Sequence, residues 1–145
     1  MGGYGALRFA FAHPELFSSV SAQSAALITE SPAELSAAED AGTSLGSLFG
    51  PVFGKPIDAP HWKENSPFDL AKKNPAGLRK LAIYFNCGQD DDLGFNKGTA
   101  ALHQELQVEG IPHEYHLYPG DHSINYFLTH IGETLEFHSR VFGRR

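Results

Sequence analysis

Apolar residues recur at helical spacing through Ala6, Leu7, Ala10 and Phe11, and Pro14 ends the run. Residues 3–13 are therefore expected to form a largely buried helix. Glycines at positions 2, 3 and 5 are poor helix formers, so their clustering points to a sharp turn or to close approach of another backbone. Phe17 to Gln23 is a short β-like run. Leu81 to Cys87 is an unbroken apolar-rich run ending at Gly88, the pattern of a strand buried on both faces in a parallel sheet. Asn96 to Glu109 carries Ala101, Leu102, Leu106 and Val108 at helical spacing and stops at Gly110, a residue type suited to the position just past a helix end. Ile111 to Tyr118 reads as a third strand. Ser123 to Phe142 reads as a closing helix carrying Ile124, Phe127, Ile131, Leu135 and Phe142.

Residues 29–60 break these periods. They are rich in Ala, Ser, Gly and Pro, with Leu45, Leu48, Phe49, Val52 and Phe53 scattered among them. The pattern predicts an irregular excursion with one or two short helices. Ser66 and Pro67 then supply an N-cap and a first helical residue for a short helix reaching Ala71. The resulting order is helix, strand, excursion, strand, helix, strand, helix. Such alternation implies an α/β fold with a parallel sheet of about three strands. No repeat and no linker divides the chain. Nothing in it is expected to cover the outer edge of the first strand, which would leave a pairing-prone edge.

Composition narrows the functional classes. The chain has 145 residues, enough for one core, and no apolar run approaches the ~20 residues a membrane-spanning helix needs. Its net charge of −6 lacks the basic footprint that nucleic acid or an anionic membrane would require. Cys87 is the lone cysteine, so no internal disulfide can form and cysteine usage does not indicate a compartment. The start lacks the basic, apolar and small-residue succession of a leader peptide.

In an open parallel sheet, chemistry gathers at the carboxyl ends of the strands. Gly88-Gln89-Asp90-Asp91-Asp92 follows the second strand, and Pro119-Gly120-Asp121-His122-Ser123 follows the third. If the two strands are neighbours, an aspartate and a histidine converge at one rim, where a carboxylate can orient an imidazole as a general base. The alternative for the acidic run is a solvated turn that caps the next helix. A metal site from Asp90, Asp92 and His122 is a weaker reading of the same residues. His113 and His116, three apart on one expected strand, would face opposite ways and could not share a metal. His13, His61, His103, His130 and His138 read as ordinary surface or helix-end residues. Ser24, just past the first strand, lacks flanking glycines, and Ser21 to Ala25 offers no sharp turn. A structural or substrate-lining role suits it better than nucleophile. Cys87 reads as a small core residue.

Met1-Gly2-Gly3-Tyr4-Gly5-Ala6 resembles the segment that follows the nucleophile in the esterase D-like "putative esterase" family of α/β-hydrolases, whose elbow typically reads Gly-x-Ser-Met-Gly-Gly-x-Gly-Ala. The family includes S-formylglutathione hydrolases, feruloyl and acetyl-xylan esterases, and mycolyltransferases. The resemblance continues through Phe17–Ala25, Cys87-Gly88-Gln89-Asp90-Asp91, residues 110–115, and Pro119-Gly120-Asp121-His122-Ser123, and covers the excursion at 26–60 poorly. It implies the C-terminal part of an α/β-hydrolase fold, with residues 1–145 a single partial domain and residues 26–78 a lid- or cap-like excursion. It also implies a serine carboxylic-ester or thioester hydrolase acting on a small-molecule substrate without a cofactor.

On this resemblance His122 is the triad histidine. Asp91 is the triad acid, because the family pattern Gly-x-x-Asp is set by Gly88, and Asp90 is the runner-up. The order nucleophile, acid, histidine matches this class. The family's serine would precede Met1, so the chain is expected to be the C-terminal portion of a longer hydrolase and inactive alone. Met1 occupies the position whose backbone N–H donates to the oxyanion hole, a role a terminal amine cannot fill. Ile124 stands where many relatives have Trp. A non-catalytic binding module of the same fold and an acyltransferase are the alternatives. Trp62, Phe49 and Phe53 are candidate pocket walls or plain core. Compartment, oligomeric state and substrate identity leave no mark on the residues.

Overall fold

In a computed structural model of the chain, residues 1–42 and 44–143 are described, without the side chains of residues 39 and 44–46. Leu45 of the excursion thus lies outside the described side chains. The elements are α1 (Gly2–Ala12), a 3-10 turn (Pro14–Leu16), β1 (Ser19–Gln23), α2 (Pro32–Asp40), α3 (Ser44–Phe53), α4 (Ala59–Asn65), α5 (Pro67–Lys73), α6 (Pro75–Leu78), β2 (Ala82–Gly88), α7 (Phe95–Val108), β3 (Glu114–Tyr118) and α8 (Ile124–Phe142). The three strands form one parallel sheet in the order β1-β2-β3. Val20 pairs with Ile83, Ala22 with Phe85, Phe85 with Tyr115 and Cys87 with Leu117. β2 and β3 are neighbours, so the condition for the acidic and histidine loops to leave the same rim is met.

Alternation along the strands sorts side chains onto two faces. Val20, Ala22, Ile83, Phe85 and Cys87 join the main core together with Leu7, Ala10 and Phe11 of α1 and Leu102 and Leu106 of α7. Ser19, Ser21, Tyr84 and Asn86 face α8, which they meet through His138, Phe137 and Tyr126. Helices on both faces are what leaves β2 buried along nearly its whole length. Gly3 shows why a glycine opens the chain. A Cβ there would sit 3.0 Å from the Cβ of Ala25, whereas at Gly2 and Gly5 it would meet open space.

The excursion is more regular than its composition predicts. Residues 29–60 hold α2, α3 and the first residues of α4, and α5 and α6 follow before β2. Burial explains this. Phe49, Phe53 and Trp62 are packed with Tyr4 of α1 into an aromatic cluster with centroid spacings of 4.7 to 6.3 Å. Each such pair contributes roughly 0.5–1.5 kcal/mol beyond the area it buries. Phe49 and Phe53 are therefore core, and only the edge of Trp62 reaches a groove. The expected helix at 66–71 runs as α5 with Ser66 at its N-cap and Pro67 first.

The closing helix differs in a second way. Its inward residues are Tyr126, Thr134 and Phe137. Ile124, Leu128, Ile131, Leu135 and Phe142 all lie on its exposed side, Ile124 at 67% and Leu135 at 60% exposure. The apolar spacing was legible, but the polar-looking face is the one packed on β1 and β2, because Tyr, His and Ser partners satisfy one another there. No helix among the described residues is long and apolar enough to cross a membrane.

Candidate active site

Two short loops build the rim. After β2 the chain turns at Gly88, and after β3 it turns at Gly120, whose φ of +134° only glycine adopts readily. The Gln89 amide donates to the Tyr118 carbonyl at 2.7 Å and the Asp90 amide to the Gly120 carbonyl at 2.9 Å. A Cβ on Gly88 would fall well inside contact distance of that Gly120 carbonyl. The two loops thus lie backbone against backbone.

This places Asp91 beside His122. The Asp91 carboxylate is fully buried, and its Oδ2 lies 2.9 Å from His122 Nδ1. The other oxygen, Oδ1, accepts from the Leu93 amide at 3.1 Å and the Phe95 amide at 3.4 Å. An ionised carboxylate only accepts, so His122 Nδ1 carries the hydrogen. In the neutral ring Nε2 is then unprotonated, and it makes no hydrogen bond among the described residues. Phe95 and Phe127 set their rings edge-on to the imidazole at 5.5 and 5.3 Å. A fixed ring with a basic nitrogen left open can take a proton from a neighbouring hydroxyl and return it.

The remaining sequence candidates separate from this pair. Asp90 and Asp92 are exposed, and neither carboxylate bonds His122. No cluster of three or more metal-ligating side chains occurs among the described residues. Met1 is the N-cap of α1, and its carbonyl accepts from the Gly5 amide. Ser24 is buried, and its φ of +41° is unusual for a residue with a side chain. The backbone therefore does turn at Ser24, contrary to the expectation from its neighbours, and its amide still donates to the Asn86 carbonyl at 2.8 Å.

Histidines read as ordinary have specific partners. His113 lies before β3 rather than on it, and its Nε2 is 2.8 Å from His103 Nδ1. His138 reaches the hydroxyls of Ser19 and Ser21, each at 2.8 Å. Tyr126 donates to Asn86 Oδ1, and Asn86 donates to the Tyr84 hydroxyl, which pins α8 behind the rim. No local spacing signals these contacts. A cleft of about 460 Å³ beside the rim is lined by Asp90, Gly120, Asp121, Ser123, Tyr126 and His130. A larger groove, about 780 Å³, lies between the excursion and α7, lined by Ile28, Trp62, Lys63, Phe68, Lys72 and Glu105 among others. His122 lines neither.

A family profile described as "Putative esterase" matches residues 1–137. The chain belongs to this esterase family. Its fold agrees with that of solved family-like enzymes. A ferulic acid esterase is 26% identical with a TM-score of 0.72, over 98% of this chain and 48% of that one. The S-formylglutathione hydrolase FrmB of Staphylococcus aureus is 20% identical with a TM-score of 0.65, over 94% of this chain and 50% of that one. FphF, a fluorophosphonate-binding serine hydrolase of the same organism, is 22% identical with a TM-score of 0.66, over 94% and 50%. The chain spans about half the length of these structures. No curated protein sequence matches it. The three parallel strands and their flanking helices thus form part of an α/β-hydrolase fold.

Proposed function

We propose that Asp91 and His122 are the acid and base of a Ser-His-Asp triad in a serine carboxylic-ester or thioester hydrolase, and that the nucleophile lies outside residues 1–145. The observation that carries this reading is the 2.9 Å contact between a fully buried carboxylate and an imidazole whose other nitrogen is open. In the serine-bearing enzyme His122 Nε2 takes the hydroxyl proton as the serine attacks the acyl carbonyl. It then gives that proton to the departing alcohol or thiol. Asp91 keeps the tautomer and stabilises the imidazolium. The Met1 backbone N–H, placed at the start of α1, donates to the oxyanion in a chain that continues upstream of it. No cofactor is required by this chemistry, and the substrate is a small-molecule ester or thioester.

The test compares residues 1–145 with a chain extended along the upstream reading frame. The extended chain is expected to carry Gly-x-Ser immediately before Met1 and to hydrolyse a chromogenic acetyl ester, and residues 1–145 to show only background. Turnover by residues 1–145 that disappears in His122→Ala overturns the missing nucleophile and makes Ser24 the first alternative. An upstream frame without the serine overturns the triad in favour of a binding module.

A further inference from the structure

The Asp91 carboxylate has room for about four hydrogen bonds, two on each oxygen. Three come from groups already described: the Leu93 and Phe95 amides and His122. The fourth comes from Cys87. Its sulfur lies 3.4 Å from Asp91 Oδ2, the same oxygen that accepts from His122. Ser24 Oγ is a second neighbour of that sulfur, at 3.6 Å.

Resting on the triad reading above, we infer that the Cys87 thiol is a positioning residue, the fourth hydrogen-bond donor to Asp91, and that Ser24 holds it in that role. The sequence Ser24, Cys87, Asp91, His122 then runs as one line of side chains from the end of β1 to the rim. The thiol has one hydrogen. If it donates to Asp91, the Ser24 hydroxyl is left to donate to the sulfur, which accepts weakly. Ser24 is held for this by the left-handed turn that ends β1 and by its amide bond to Asn86. Burial pushes the Cys87 thiol up to about 11, with Asp91 contributing in the same direction. The sulfur therefore keeps its hydrogen at neutral pH. A thiolate there would face the carboxylate and repel it. Cys87 is completely buried, so it serves neither as nucleophile nor as disulfide partner.

The geometry has a directional consequence. Donation from sulfur draws charge out of Oδ2 and weakens its pull on the His122 Nδ1 hydrogen. Removing the thiol strengthens that pull, because the two amides on Oδ1 keep the carboxylate in place. A hydroxyl, a stronger donor than a thiol, weakens the pull further.

Two spectra on residues 1–145 test this. With one cysteine in the chain, the S–H stretch is a single infrared band. Asp91→Asn is expected to shift that band toward the free-thiol frequency, and Ser24→Ala to move it less. The His122 Nδ1–H proton resonance is expected furthest downfield in Cys87→Ala, intermediate in the wild type and furthest upfield in Cys87→Ser. A band that responds to Ser24→Ala and not to Asp91→Asn overturns the inference, because the thiol then donates to the serine. So does an Nδ1–H resonance that is the same in all three proteins or ordered the other way. A resonance that survives Asp91→Asn at its wild-type position instead overturns the acid–base pairing itself. Cys87→Ser keeps the test open if Cys87→Ala does not fold.

Discussion

The rim at Asp91 and the outer face of α8 are opposites. At the rim, a buried carboxylate has every lone pair occupied, by two amides, a thiol and an imidazole. On α8, Ile124, Leu128, Ile131 and Leu135 are exposed apolar side chains, and Phe142, also exposed, touches only the His138 ring among the described aromatic rings. The first region is complete in itself. The second carries a core-like composition on a surface. The difference separates two kinds of local order: the hydrogen bonds of Asp91 are met among the described residues, whereas the apolar side chains on the outer face of α8 stay exposed.

The sharpest way to break this contrast is at the rim. In the serine-bearing protein, His122→Ala is expected to cost about 10⁶-fold in kcat, and Asp91→Asn about 10⁴-fold, measured on a chromogenic ester. Equal small losses for both would mean the pair is not an acid and base. Next comes packing. Leu102→Ala, at a fully buried position of α7, is expected to lower stability by about 2–5 kcal/mol in urea denaturation. Gly88→Ala is expected to cost about 1–3 kcal/mol and to weaken the His122 Nδ1–H resonance, because the two loops must part.

On the other region the expected effects are small. Leu128→Glu and Leu135→Glu, both already exposed, are expected to change stability by about 0.5 kcal/mol or less while reducing binding of a hydrophobic dye. A large loss of stability in either would show that the stripe is packed after all. The smallest effect is electrostatic. Burial lowers the His138 imidazole below its ordinary range, so the unfolded chain binds the extra proton first as pH falls. Stability from this group is full above about pH 6.5 and declines below it as pH drops toward the folded value. His138→Gln is expected to flatten that acid limb in denaturation curves measured from pH 7 downward.

The succession of strands and helices was legible because it follows from local signals, and the meeting of Asp91 with His122 was anticipated from the family resemblance. The apolar run ending at Gly88 sets β2, whereas the preference for Asp91 over Asp90 came from the resemblance, whose family pattern is Gly-x-x-Asp. What stayed hidden depends on contacts between distant residues. The His103–His113 pair and the His138 bridge to Ser19 and Ser21 have no spacing rule. The burying face of α8 was hidden because its inward side is built from Tyr126, His130, Thr134 and His138, residues whose polarity disguises how closely they pack. The excursion looked irregular because Ala, Ser, Gly and Pro obscure short helices whose burial, through Phe49, Phe53, Trp62, Leu35 and Leu70, is set by distant contacts. The turn at Ser24 was missed because the backbone there adopts φ +41° without a glycine to announce it.

Gly98 of α7 lies directly on the Leu27 carbonyl, at a spacing no Cβ could share. Three residues earlier the same helix supplies the Phe95 amide to Asp91. The stretch leaving β1 is therefore a gauge block for the acid, set by main chain alone. Natural variation in length should be tolerated from residue 29 onward, where the chain is free of that contact. An insertion of one residue between 24 and 28 should be selected against, however far it lies in sequence from Asp91.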